Sequence, residues 1–218
     1  MANTSQAQAR NIKIALGRLP GIASVDEVRI ERQLIERVSV KSKPLGQLTL
    51  QRLRAADAPH LFDFYFHGLS AKSQNFFPPY PLFSSPVSSG EELKSRIIDW
   101  EKEDDWTVLS LIKDERIIGI GILKRFKTER PISGLAVREE YHRTGLGYLL
   151  QTLVNEQARL LNLKRLYATV APDNVASLQL HLKRGFKQTG KLVPHYVYRN
   201  GIKEIDRHDI ELIIDFNG

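Results

Sequence analysis

The sequence predicts an α+β protein, with a mixed, mainly antiparallel sheet flanked by helices and preceded by an N-terminal extension. Three observations point there. Trp106–Lys113 and Arg116–Lys124 are strand-like runs separated only by Asp114-Glu115, which is hairpin spacing. From Gly147 onward, Leu149, Leu150, Leu153, Val154, Leu160 and Leu161 recur at intervals of three and four, as on one face of a helix. Between them a strand feeds a glycine turn and that helix, and another strand follows, which is a βαβ unit inside an otherwise antiparallel order. The 218 residues suit one domain with an extension, and we divide them into an extension at 1–34 and a main domain at 35–218.

Taken in order, Met1–Ala9 is polar and aperiodic and is expected to be a flexible tail. Ser24 and Glu27 have capping-box spacing, and Val25, Val28 and Ile35 fit one face of a short helix. Val38 and Val40 alternate with polar neighbours, and Pro44-Leu45-Gly46 turns the chain, so Glu36–Ser42 and Gln47–Arg54 form a hairpin. Asp57 opens a helix carrying Leu61, Phe64 and Leu69, which ends before Phe76-Phe77-Pro78-Pro79-Tyr80-Pro81, where proline forbids helix interior and central strand. Glu91–Lys102 is a second helix, and Ile132–Arg138 a strand after the hairpin. Leu166–Val170 is a strand, Val175–Lys183 a helix, and Phe186–Tyr198 and Asp209–Phe216 are strands.

Composition narrows the function classes. With no cysteine, disulfides, thiolate nucleophiles, zinc–thiolate sites and iron–sulfur clusters are all excluded. No metal ligand set is expected. The longest apolar runs, such as Ile117–Leu123, fall far short of a bilayer span, and the N-terminus has no secretory pattern, so a cytoplasmic protein without a membrane partner is expected. The net charge is +7, but ten basic and four acidic residues precede residue 55, an excess of six, against an excess of one over the rest. The body of the chain is nearly neutral, and nucleic acid is not an expected partner.

The segment Ile132-Ser133-Gly134-Leu135-Ala136-Val137, then Arg138-Glu139-Glu140-Tyr141, then His142-Arg143-Thr144-Gly145-Leu146-Gly147, runs a strand into a two-glycine loop and straight into a helix. Physically this is an anion cradle, because glycines admit close backbone N–H groups and a helix start adds unpaired donors and a positive dipole end. A pyrophosphate is the expected guest. A GxG loop also serves simply to turn a chain into a helix. The second segment, Asn174 through Leu180 and His181 to Gly185-Phe186, follows the next strand at a specific spacing.

Together these segments resemble the GNAT superfamily of N-acetyltransferases, and the order of elements fits it from about Ile35 onward. Gly145 and Gly147 match the family loop, and Asn174, Leu180, Gly185 and Phe186 match its second segment. The resemblance implies a GNAT-type sheet, acetyl-CoA as co-substrate and an amine as acceptor. It implies that main-chain groups of the strand Leu135, Ala136, Val137 pair with the pantetheine arm like an added strand. His142, Arg143, Thr144, Gly145, Leu146, Gly147 and Tyr148 would wrap the pyrophosphate, and Asn174 would touch the cofactor from the other side. His142 stands where the family usually has Arg or Gln, and His181 where it often has the Tyr that protonates the departing thiolate.

His181 is therefore the candidate catalytic acid, with packing on the helix as the alternative. An amine of reference pKa about 10.4 must first lose a proton, and Glu129, Asp104, Asp105 and His195 are the candidate bases. Tyr196, Tyr198 and the Phe76–Pro81 loop are candidate walls of an acceptor cleft. The adjacent cations Lys183 and Arg184 read as a solvated helix end. Two other functions remain open on sequence grounds: a non-catalytic acyl-CoA sensor, and a nucleic-acid module built on the basic N-terminal segment. The acceptor, a small molecule or a protein amine, is not specified, and a homodimer is left open.

Overall fold

The computed structural model describes residues 2–77, 87–199 and 202–216. Among them one sheet has nine strands, in the order β1-β2-β3-β4-β5-β6-β7-β9-β8. The first five elements are α1 (Ala2–Gly17), β1 (Ile22–Glu31), β2 (Leu34–Ser42), β3 (Gly46–Arg52) and α2 (Ala58–Phe66). They are followed by α3 (Ala71–Phe76), α4 (Gly90–Glu103), β4 (Trp106–Lys113), β5 (Arg116–Lys124) and β6 (Ile132–Val137). The chain ends with α5 (Leu146–Leu160), β7 (Arg165–Val170), α6 (Val175–Lys183), β8 (Lys187–Arg199) and β9 (Ile202–Asp215).

The two ends of the sheet correct the sequence reading. The stretch expected to hold a helix at Ser24–Ile35 is the edge strand β1, paired antiparallel with β2 from Ile22↔Ser42 to Glu31↔Leu34. Helical spacing of Val25, Val28 and Ile35 loses because β2, which carries Ile35, offers a ladder, and register irregularities in β1 let Val25 and Val28 reach the core despite the wrong period. The expected tail is helix α1, held by fully buried Ile12 and Leu16, whose i,i+4 spacing forms a stripe against α5 residues such as Leu146 and Leu150. Residues 1–34 thus add a helix and a strand to the same sheet and core. β9 begins seven residues before the expected Asp209, because its polar first half is satisfied by pairing with β8.

The sheet separates two layers. On one face α1 and α5 pack over Val38, Val40, Leu109, Leu111 and Ile118. On the other, α2 and α4 cover Val108, Ile117, Ile120 and Ile122 through Leu61, Phe64, Leu93 and Ile97. α5 lies close on β5 because Gly119 and Gly121 leave room: a Cβ on Gly121 would stand 2.9 Å from Val154 Cγ2.

One junction matters most for function. β6 and β7 run parallel but share a single registered pair, Ile132 with Tyr167, supported by Tyr167 N–H donating to Pro131 O at 2.9 Å. Beyond it no further pair is registered, leaving a gap in the ladder between their C-terminal halves.

Candidate active site

The gap has a hydrogen-bonding wall. Arg138 N–H donates to Ile118 O at 3.0 Å, so by the alternation of an antiparallel ladder Ala136 also turns its backbone to β5. Leu135 and Val137, one residue out of phase, turn theirs away from β5 into the gap. Their side chains pack with the α5 layer, whereas Ala136 is buried in the α2–α4 layer. Of the three strand residues expected to hold the pantetheine arm, two offer main-chain groups and Ala136 supplies support.

Past Val137 a 3-10 turn, Glu139–Tyr141, leads into the loop before α5. Arg143 has φ 63° and Gly145 φ 90°, both in the left-handed region, so successive N–H groups are swung to one side as in a backbone nest. Thr144 is held by its hydroxyl, which donates to Tyr141 O at 2.6 Å. Gly145 caps α5, leaving the N–H groups of its first turn, including Leu146, Gly147 and Tyr148, without helical acceptors. The Leu146 side chain is buried in the core, so its contribution to a ligand is main-chain only. Gly147 permits close helix packing: a Cβ there would stand 3.2 Å from Leu180 Cδ2 of α6.

Beside this cradle lies a cavity of about 400 Å³ lined by Pro20, Gly21, Ser42, Arg143, Thr144 and Tyr148, among others. The α1–β1 turn thus forms one side of the candidate anion site, with Gly21 placed so that a Cβ would lie 3.8 Å from Thr144 O. Sequence reasoning missed this because it assigned those residues to an extension; Leu16, Leu19 and Ile22, spaced to bury together, were the available signal.

His142 donates from Nε2 to Val137 O at 2.9 Å, occupying one of the two carbonyls that face the gap. Asn174 caps α6, its side-chain oxygen accepting from Ser177 N–H at 3.1 Å; its amide hydrogens are the groups left for another partner. Arg184 is half-buried with its guanidinium 6.0 Å from the Tyr148 ring centroid, while Lys183 is exposed, so only Lys183 fits the solvated helix end expected of the pair.

His181 is 3% exposed and lies edge-on to Phe186, with ring centroids 5.1 Å apart. Its Nδ1 is 2.8 Å from Ser177 O, and because a carbonyl only accepts, that nitrogen carries the hydrogen. Nε2 is then a bare lone pair, buried and without a partner among the described residues. Burial pushes the pKa down, which the Ser177 contact only partly opposes, so the ring is neutral at neutral pH.

Of the four candidate bases, Glu129 is exposed, Asp104 is exposed and paired with Lys127 at 2.8 Å, and Asp105 is half-buried next to it. His195 sits in a different environment, against buried Asp209. Of the aromatic loop, Pro78–Pro81 lies outside the described residues, as does the Tyr198 side chain. Phe77 packs with the α2–α4 layer and covers Gly134. Tyr196 is 41% exposed.

An ion pair between a buried arginine and a half-exposed aspartate fixes the frame. Arg138, 2% exposed, donates from Nε to Ile117 O at 2.8 Å and reaches Asp63 of α2 with Nη2. Next to it, Glu139 accepts from Ser70 N–H and from the Ser70 and Ser73 hydroxyls at the start of α3. The strand that lines the gap is thereby tied at its end to α2 and α3.

A splayed parallel pair, a backbone wall and a nest opening a helix together form the candidate site. The sequence model of the acetyltransferase (GNAT) family matches residues 73–186, and the chain belongs to that family. It is an N-acetyltransferase, which favours the enzyme over the sensor. Among solved structures, the GNAT domain of S. lividans PAT is 16% identical, with TM-score 0.62 over 83% of this chain and 97% of that one. Spermidine N-acetyltransferase from Vibrio cholerae, in complex with CoA and spermine, is 19% identical, with TM-score 0.60 over 77% and 95%. Ribosomal-protein-S5-alanine acetyltransferase from Vibrio fischeri is 17% identical, with TM-score 0.58 over 87% and 97%. These likenesses concern the fold. Comparison with curated proteins finds no match. No helix among the described residues is long and apolar enough to cross a membrane, and among them no group of three His, Cys, Asp or Glu is placed to hold a metal.

Proposed function

We propose that the protein moves an acetyl group from acetyl-CoA directly to a primary amine of a small molecule or protein, within a ternary complex. The observation that carries this reading is the gap between β6 and β7, where the Leu135 and Val137 backbone groups turned away from β5 lead to the nest at Arg143–Gly145. The residues present fit CoA. Leu135 and Val137 would pair with the pantetheine amides, and the N–H groups from Arg143 to Tyr148 would hold the pyrophosphate, with the α5 dipole adding to their attraction. Bound acetyl-CoA supplies an activated acetyl group and a thiol leaving group. A strand N–H facing the gap would stabilise the negative charge that develops on the acetyl oxygen.

The chain's side chains divide the remaining tasks. His142 guards the Val137 carbonyl and must release it for an arriving amide N–H. His181, with its single hydrogen given to Ser177 O, offers a lone pair, so its role is to accept a hydrogen bond and pack the second side of the site. The proton that ends on sulfur then comes from the attacking amine. Direct transfer is favoured because the chain has no cysteine to carry an acyl group.

Calorimetric titration with CoA, followed by thiol detection with acetyl-CoA and amines, tests the proposal. Spermidine and an alanine-initiated peptide are suitable first amines. Saturable CoA binding, amine-dependent thiol release and intersecting double-reciprocal lines are expected. Absence of CoA binding would overturn the assignment, and parallel lines would overturn direct transfer.

A further inference from the structure

The β8–β9 hairpin registers Val193 with Asp209 and His195 with Arg207. Directly paired residues share a face, as do residues two apart, so His195, Asp209 and Arg207 stand together. That face looks toward α3, because Arg207 donates from Nη2 to Asn75 O at 3.0 Å. Two residues on, the Phe77 ring comes within 3.1 Å of where a Gly134 Cβ would stand. Gly134 directly precedes Leu135, so α3 links the cluster to the β6 end of the gap on the α2–α4 side, opposite the cradle at α5.

The cluster is built like a base. His195 Nδ1 is 3.3 Å from Asp209 Oδ2, and Arg207 Nε donates to Asp209 Oδ1 at 2.7 Å. The His195 and Asp209 side chains are 11% and 6% exposed. Burial alone would push the Asp209 carboxyl up, but the bonds from His195 and Arg207 outweigh it and hold the group below the usual carboxylate range. An ionised carboxylate only accepts, so His195 carries its hydrogen on Nδ1 and a lone pair on Nε2. Nε2 is buried and has no partner among the described residues. Such an atom is costly to leave unsatisfied, and a donor arriving from the cleft removes that cost.

We propose that His195, oriented by Asp209, is the general base for the acceptor amine; this rests on the acetyl-transfer reading above. In the step, an ammonium group gives one proton to His195 Nε2, leaving a neutral amine and an imidazolium held by Asp209. The amine lone pair forms a C–N bond to the acetyl carbonyl carbon, and the C–S bond breaks with its electron pair on sulfur. The nitrogen's second proton ends on that sulfur as the thiol, and the imidazolium returns its proton to water. An anionic carboxylate behind the imidazole favours a cationic acceptor over an anionic one.

The test uses the full chain, with spermidine and an alanine-initiated peptide as probe amines. His195→Asn keeps a donor to Asp209 and removes the base. We expect kcat/KM to fall about 100- to 10,000-fold, with CoA affinity unchanged within about two-fold. The acid limb of the wild-type pH profile should flatten in His195→Asn; the charged groups beside the ring are Asp209 and Arg207, the latter paired with Asp206. Nitrogen-15 NMR of histidine-labelled protein should show the neutral His195 ring protonated at Nδ1, and Asp209→Asn should weaken that preference. Unchanged kcat/KM and pH profile in His195→Asn, or wild-type protonation at Nε2, would overturn the proposal. If wild type binds CoA but neither amine releases thiol, the transfer reading fails for those amines, while the NMR result separately supports or overturns the dyad.

Discussion

Under the proposed function Gly145 serves both fold stability and cofactor binding, and Gly145→Ala separates them. Its φ of 90° lies in the left-handed region, and an added Cβ would have nothing within 4 Å, so the cost is conformational and not steric. Holding an alanine there costs about 1–2 kcal/mol. For a chain of this size that lowers Tm by roughly 2–8 °C. If the loop keeps its shape, CoA affinity is retained and the whole cost falls on stability. If the backbone rotates to relieve strain, stability recovers but an N–H leaves the nest. Losing one charge-assisted bond costs about 1.5–3 kcal/mol, a weakening in Kd of roughly 10- to 150-fold. Gly46→Ala is the control: φ is 74° and the space is equally open, but the residue sits in the β2–β3 turn. It should show the stability loss alone. Thermal unfolding and CoA calorimetry on both variants decide the matter. A Gly145→Ala protein unchanged in both measurements, beside a destabilised Gly46→Ala, would refute the nest.

Gly68→Ala should destabilise by about 1–3 kcal/mol in urea unfolding, because the new Cβ would stand 2.5 Å from Arg138 Cζ and 2.6 Å from Phe64 O, a backbone atom that cannot swing aside. Glu139→Gln should flatten the acid dependence of stability. Burial opposes ionisation of Glu139, but bonds from Ser73 and Ser70 outweigh it and bring its pKa down from 4.5 to about 2. A lowered carboxylate pKa stabilises fully above 4.5 and is lost as pH falls toward 2, so the difference between wild type and variant should shrink across that window. His181→Asn keeps a donor to Ser177 O and should leave kcat within about ten-fold of wild type; a larger loss would restore His181 as the acid. Because the folded protein resists protonating His181, wild type should lose stability as pH falls below about 6.5, and His181→Asn should lose less.

The cofactor half of the site was legible because its signals are local. Glycine at 145 and 147, and Asn174 three residues before Ser177, encode backbone conformation and a helix cap within a few residues of themselves. β4, β5, α5 and β7 were legible for the same reason, their apolar periods being long and regular. Three features depended on partners outside their own segments. β1 became a strand because β2 lay alongside it, α1 a helix because α5 offered a surface for Ile12 and Leu16. His195 gained a carboxylate partner because β9 brought Asp209 beside it.

The basic N-terminal segment shows the same division. The charge count located the excess, yet Glu36, 7% exposed, binds both Arg52 and Arg54, and Glu27 pairs with Arg37, so part of that excess is structural. The fold class, the family and the backbone turn that opens α5 follow from sequence alone, since periodicity, turn glycines and caps act over one or two turns of chain. Tertiary structure alone decided the protonation of His181 and His195, the gap between β6 and β7 and the wall that the α1–β1 turn adds to the cradle. Each of these depends on burial and on hydrogen bonds between segments that meet only when the sheet closes.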